Sequence, residues 1–386
     1  MYAEPLRILR GRFWFWTALL TIYAAAPVWW TIHHDFGDWR AFAIAGSRAG
    51  TPALLHPPEL WQAFLYVPAA AYAIAPLSRL PLSVGFAIEA TFMVLCAGVS
   101  SIVLARCYRI SQSIATALVF AWWPTLYAAL VAGQNATFGL LCSLLTISGM
   151  VENAPLRTAL PLGLLLYKPT YALPLVLVLA VRGRLREVMS AAAIGALLYV
   201  VSVMATGGDS MWPTTLAQLV HQYFAQDFRL NAAMALALPG LLNRVGAAPW
   251  LIGAICVLLG VASAVASRSA RDLEAGSFAC LAGLALSAHA WAYDAVLALP
   301  AIAWCATHLR EPLRTRLISA VYFVADTALF SPVLFIDPLA IPIVGGTIAW
   351  LAIRLRGGRL HQFEQVPDEH VFGFEGPRAE LDHGLR

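Results

Sequence analysis

Residues 84–105 read VGFAIEATFMVLCAGVSSIVLA, with Glu89 as their only charge. A helix on the surface of a soluble domain keeps a polar face, whereas this block is apolar all round. Its length matches the roughly 20 residues an α-helix needs to cross the hydrocarbon core of a bilayer. Similar blocks stand at 13–32 and 250–266. Of the 386 residues, 60% are hydrophobic and 12% charged, against about 25% charged in a soluble domain. The sequence therefore predicts an all-α polytopic membrane protein.

The charges refine this. A net charge of +4 is spread over short arginine clusters between apolar blocks, the pattern of cytoplasmic loops rather than of a nucleic-acid surface. The block at 13–32 follows Arg7, Arg10 and Arg12 and is too long for a signal-peptide core, so it reads as an uncleaved first span. Arginines at 182–186, 268–271, 310–316 and 354–359 mark cytoplasmic connections. Segments 207–248, 287–293 and 331–338 then fall outside.

The first half admits two readings. If 63–78 spans, Arg106, Arg109 and Arg157 lie outside and Gln134 inside. If 63–78 is a surface or re-entrant helix, these arginines are cytoplasmic and Gly133-Gln134-Asn135 faces outside. The block at 158–181 must then be two short helices broken at Lys168-Pro169, where proline removes a helix donor and clashes with the preceding turn. The positive-inside rule favours this second reading. Residues 1–359 form one membrane domain, and the acidic, Gly- and Pro-containing segment 360–386 reads as a disordered cytoplasmic tail.

Several residues could carry chemistry. Asp35 and Asp38 follow the first span at the water interface, three residues apart and on one face of any helix there. One could accept a proton from a hydroxyl; equally, Asp38 could be a helix N-cap. Lys168 is the only lysine in the chain and sits inside an apolar block. An ionisable group at membrane depth marks a site by default, and an ammonium suits a phosphate oxygen; a snorkelling side chain is the plain alternative. Gln134 and Asn135 could bind sugar hydroxyls or satisfy a helix–helix turn. The stretch from His221 through Arg229 to Asn231 suits a saccharide, a lipid head group or an interfacial helix. His289, Trp291, Tyr293 and Asp294 cluster at an outside turn. No metal site is expected: His33-His34 near Asp38 is a weak pattern, and none of the six cysteines forms a CxxC pair. No phosphate loop, dinucleotide fingerprint or zinc-protease motif appears, so neither a cofactor nor a soluble nucleotide substrate is expected.

Taken together, the loops resemble glycosyltransferase family 87. Asp38-Trp39-Arg40-Ala41-Phe42, Ala45-Gly46 and Gly50 resemble the family's opening, an acid before an aromatic run. Tyr66-Val67-Pro68 resembles its YPP motif, and Ala75-Pro76-Leu77-Ser78-Arg79-Leu80-Pro81 its PLaxLP motif. Gly133-Gln134-Asn135 resembles the GQxN turn, and 163–169 the GlllxxKP segment. Residues 287–300 resemble a later serine-to-proline motif. Two departures stand out: Tyr66-Val67-Pro68 lacks one proline, and Tyr293-Asp294 replaces a histidine pair.

The resemblance implies a C-type glycosyltransferase-like bundle of about 10–12 membrane helices with short re-entrant or interfacial helices. It implies transfer of a hexose, commonly mannose, from a polyprenyl-phosphate donor to a lipid or glycan acceptor on the extracytoplasmic side of the inner membrane. Asp38 would be the general base and Lys168 the donor-phosphate ligand, helped by Arg40 or Arg229. Asp35, Tyr66, Gln134, Asn135, His221, Asn231, His289, Tyr293 and Asp294 would surround the substrates. A lipid or solute transporter, or a flippase, is the competing class; it does not predict a carboxylate-rich first loop followed by a surface helix.

Overall fold

The computed structural model describes residues 33, 36–57, 59–60, 63–121, 123–231, 237–287, 290–308 and 340–356. The predicted first span at 13–32, the arginines at 310–316, the tail at 360–386, Asp35 and His289 lie outside the described residues.

The described residues are all-α, in chain order α1 (Gly37–Arg48), α2 (Ala69–Ser78), α3 (Leu82–Tyr108), α4 (Gln112–Ala121), α5 (Trp123–Ala132), α6 (Ala136–Val151), α7 (Pro155–Leu165), α8 (Pro169–Val181), α9 (Leu185–Ala205), α10 (Trp212–Asn231), α11 (Leu238–Arg244), α12 (Pro249–Ala266), α13 (Asp272–Leu286), α14 (Leu299–His308) and α15 (Ala340–Leu355). Among them, α3, α9 and a segment that begins with α12 (Pro249–Ser269) are long and apolar enough to cross a membrane. α3 shows why such a helix needs lipid. Phe86, Ala90, Met93 and Ala97 bury one face, while Ile88, Phe92, Leu95, Val99 and Ile102 stay exposed. An apolar stripe of that length in water would be an aggregation surface; in a bilayer it is solvated. α9 (Leu197, Val200, Met204) and α12 (Val257, Leu258, Val261) expose similar stripes.

α13 is the central post. It packs against α6, α8, α12, α14 and α15, and Ala275, Phe278, Ala279, Leu281 and Ala285 are all buried. Its one inward carboxylate, Glu274, is matched by α15: Trp350 Nε1 donates to it at 2.9 Å and Arg354 pairs with it.

The block at 158–181 does not form one helix. α7 and α8 are 11 and 13 residues long, about 16 and 20 Å at 1.5 Å per residue, short of the ~30 Å hydrocarbon core. The break has a local cause. Pro169 supplies no N–H and holds Lys168 in an extended conformation, at φ −129°, ψ 86°. The amides of Leu166, Tyr167 and Lys168 instead close tight turns on the carbonyls of Gly163, Leu164 and Leu165. α2, with 10 residues, is likewise too short to cross alone.

The helices have two distinct ends. At one, Arg184 donates to Met150 O (3.0 Å) and Asn153 Oδ1 (3.3 Å), and Arg182 donates to Ser267 O and Ala270 O. Both arginines also bind Asp272, at 2.7 and 2.9 Å. Tyr108, the last residue of α3, hydrogen-bonds Ser277 nearby at 2.6 Å. Arg109, Arg157, Arg182, Arg184 and 268–271 therefore share an end. α7 leaves it and α8 returns to it, so the pair forms a hairpin. Gln134 and Lys168 lie at the other end. This is the helix order of the second sequence reading.

Candidate active site

Asp38 enters the site on α1. Phe36 takes the N-cap position in the left-handed region, with φ 59°, and makes no side-chain cap. Asp38 is thus in the first turn rather than at the N-cap, which frees its carboxylate from capping. Trp39 anchors the turn: it is fully buried, and its Nε1 donates to Leu82 O at 3.1 Å. Gly133 closes over it with φ +64°, and a Cβ there would meet Trp39 Cβ at 2.7 Å. Only glycine tolerates both conditions. This close approach brings Gln134 to Asp38.

Gln134 is buried and links two groups. Its Nε2 donates to Asp38 Oδ2 in a short hydrogen bond, and its Oε1 accepts from Tyr66 Oη at 2.6 Å. The Tyr66 ring stacks on Tyr167, centroids 5.8 Å apart and planes 9° from parallel. Tyr167 Oη in turn donates to Asn135 Oδ1 at 3.1 Å. A backbone bond from Val67 N to Tyr167 O, 3.2 Å, ties the two segments together.

Next to this stack stands Lys168. Its Nζ donates to Asp294 Oδ1 and to Tyr171 Oη, each at 2.7 Å. Tyr171 Oη also donates to Asp294 Oδ1. The other carboxylate oxygen of Asp294 accepts from Trp291 N at 3.0 Å. The rings of Tyr171, Tyr293 and Tyr66 lie 4.3, 5.6 and 5.8 Å from the ammonium, within cation–π range. Gly139 of α6 makes room for Tyr171, since a Cβ there would overlap its ring. Burial pushes the Tyr66 and Tyr293 phenols well above their ordinary range, and the carboxylates of Asp294 and Asp38 add to it. Both phenols stay protonated, and that of Tyr66 donates to Gln134.

The structure thus gathers Asp38, Tyr66, Gln134, Asn135, Lys168, Tyr293 and Asp294 from segments far apart in the chain. Asp294 is fully buried and engaged by three donors, a different setting from a substrate-facing carboxylate. Arg40 is exposed on α1, and His221 is exposed on α10. Arg229 and Asn231 belong to the last turns of α10. Tyr167, Tyr171 and Tyr223 were not singled out from sequence. Tyr223 lies close enough to Tyr66 and Tyr293 for their phenols to interact, so α10 reaches this end of the molecule. The available signal was the Tyr-Lys-Pro-Thr-Tyr run around Lys168.

An apolar groove of about 330 Å³ runs between α8, α12, α13 and α15, lined by Thr170, Pro174, Gly260, Gly283, Ser287 and Trp350 among others. It begins two residues past Lys168 and follows α8 to Val178. Among the described residues, no group of three or more His, Cys, Asp or Glu side chains is placed to hold a metal ion.

The sequence profile of glycosyltransferase family 87 matches residues 64–288. The chain belongs to glycosyltransferase family 87. It is a membrane glycosyltransferase, which sets the transporter reading aside. The family match contains Tyr66, Gln134, Asn135 and Lys168, whereas Asp38 and Asp294 flank it on either side. No curated protein and no solved structure matches the chain.

Proposed function

We propose that this protein transfers a hexose, mannose by resemblance, from a polyprenyl-phosphate donor to a lipid or glycan acceptor, on the extracytoplasmic face of the inner membrane. The observation that carries the reading is that a half-buried carboxylate, Asp38, is linked by hydrogen bonds through Gln134 to Tyr66, whose ring lies 5.8 Å from the ammonium of the chain's only lysine. A base and a cation are the two groups that transfer from a phosphate leaving group requires. The groove beside Lys168 supports a lipid-borne donor, because an isoprenoid chain is apolar and the lining is too.

In this reading the reaction is one displacement with inversion. Asp38 accepts the acceptor's hydroxyl proton as its oxygen attacks the anomeric carbon. The bond from that carbon to the phosphate oxygen breaks, and the lipid phosphate leaves with the electron pair. Positive charge spreads onto the ring, as in other oxocarbenium-like glycosyl transfers. Lys168, with Arg40 or Arg229, balances the charge on the phosphate. Tyr66, Gln134 and Asn135 orient the base and meet sugar hydroxyls. His221, Asn231, Tyr293, Asp35 and His289 complete the set proposed to surround the substrates.

The test uses purified protein in vesicles with labelled polyprenyl-phosphate mannose and a membrane extract as acceptor source. A labelled glycolipid or glycan, lost in Asp38→Asn, is expected. Transfer from a nucleotide sugar but not from the lipid donor would overturn the donor assignment.

A further inference from the structure

The proposed donor site leaves one fact unexplained. Lys168, assigned to a phosphate, already has an anionic partner. An ammonium carries three donors, and two of them are taken, by Asp294 Oδ1 and Tyr171 Oη. One N–H remains. The lysine side chain is 13% exposed, while that of Asp294 is 1% exposed. Any oxygen that reaches the pair therefore reaches it from the lysine side.

The setting is also unusual electrostatically. Lys168 occupies the N-cap position of α8, the end where a helix carries its positive partial charge. A buried cation placed there needs a compensating anion. Asp294 supplies it, and its second oxygen is fixed by the Trp291 amide. The carboxylate is thus held by its own turn, at 292–298, and cannot follow the lysine outward. The other charged or titratable groups around the ammonium are Tyr171 on α8, Tyr293 beside Asp294, and Tyr66 and Tyr167 from the stacked pair. Asp38 and Tyr223 lie further out, against Tyr66 and Tyr293.

We propose that Asp294 is a positioning residue, not a substrate ligand: it fixes the Lys168 ammonium at the head of α8, so that its one unused N–H is presented to a phosphate oxygen of a lipid. The inference rests on the donor-phosphate reading and deepens it. The pair is neutral as a whole, so it can wait in a low-dielectric site without a ligand. It adds a strong hydrogen bond as negative charge grows on the leaving phosphate.

Because Lys168 is the only lysine, its amine can be followed directly. The wild-type protein and Asp294→Asn, in vesicles, are reductively methylated at pH 8, and the peptide carrying residue 168 is quantified by mass spectrometry. The expected result is labelling about tenfold or more faster in the amide variant, because the amine is released from its charge-assisted hydrogen bond and can reach the reagent. A short-chain polyprenyl phosphate is expected to protect Lys168 in the wild type and to lose that protection in Asp294→Asn. In transfer assays the variant's loss is expected in donor KM more than in kcat. Unchanged labelling, equal protection in both proteins, no protection in the wild type, or a loss confined to kcat with a lowered melting temperature would each overturn the proposal. Should the amide variant not fold, Asp294→Glu keeps the charge but moves the ammonium. It is expected to weaken protection about tenfold with near wild-type labelling, and full protection would overturn the proposal. Protection without any sugar transfer by the wild type would leave Asp294 its role and remove the sugar-donor reading.

Discussion

The same two antiparallel helices, α8 and α13, are tied by charge at both ends, and the two ties differ. At the arginine end, Arg182 beyond α8 meets Asp272 at the start of α13. At the other end, Lys168 before α8 meets Asp294 beyond α13. Arg182 and Asp272 sit where the helix dipoles favour them, a cation after a C-terminus and an anion at an N-terminus. Arginine there also donates to Ser267 O and Ala270 O, which pins three segments with one planar group. Lysine at the other end opposes its helix dipole and keeps a donor in reserve. One tie is a fastening; the other holds charge in a place where charge is unfavourable. That is the mark of a working site.

Four perturbations sharpen this contrast. The largest effect is expected at Asp38→Asn, which removes the proposed base while keeping the shape. Transfer should fall by about 10³-fold or more, with the melting temperature unchanged; transfer within tenfold of wild type would remove Asp38 as the base. Next is Gln134→Leu, which strands the Tyr66 hydroxyl and Asp38. Leaving buried polar groups unpaired costs about 1–3 kcal/mol each, so a loss of about 10- to 100-fold in kcat/KM is expected. Asp272→Asn attacks the opposite end. It should lower stability in denaturant by about 1–3 kcal/mol, the pair being mostly but not fully buried, with kcat/KM within about twofold of wild type. A selective loss of activity there would erase the distinction between the ends. The smallest effect is expected at Glu152→Gln. Its carboxyl is held below the ordinary range by the Ser148 hydroxyl and the Arg157 guanidinium, on an exposed turn. A lowered carboxyl favours the folded state above about pH 4.5 and stops doing so as pH falls through the folded value. The variant should therefore melt slightly lower at pH 7, by about a degree because the pair is exposed, and should match wild type at low pH, where the wild-type carboxyl is protonated.

Composition and periodicity were enough to read the membrane class, and Pro169 was enough to read the break between α7 and α8. Asp38, Gln134 and Lys168 were legible because each is a polar group placed where polarity is expensive. The pairings were not. Lys168 and Asp294 are 126 residues apart, and Tyr66 and Gln134 are 68 apart; spacing along a chain does not say which buried polar group satisfies which. Tyr167 and Tyr171 escaped notice because an aromatic in an apolar block reads as packing. The stretch from His221 to Asn231, set in an outside segment, proved to be the second half of a helix, α10, whose Trp212 and Leu219 turn inward.

The α7–α8 hairpin also constrains how the protein is made. An apolar block of 24 residues, 158–181, invites the insertion machinery to treat it as a single crossing. Yet neither half is long enough to be stable alone, and the lone ammonium between them would stand bare in lipid. α7 packs chiefly on α6 and α9, and α8 on α13, which is synthesised some 90 residues later. The hairpin's shelter is therefore complete only once α13 and, after it, Asp294 have been made. Truncation of the chain before Asp294 should leave this segment exposed to quality-control proteolysis, a late checkpoint on whether the catalytic end has closed.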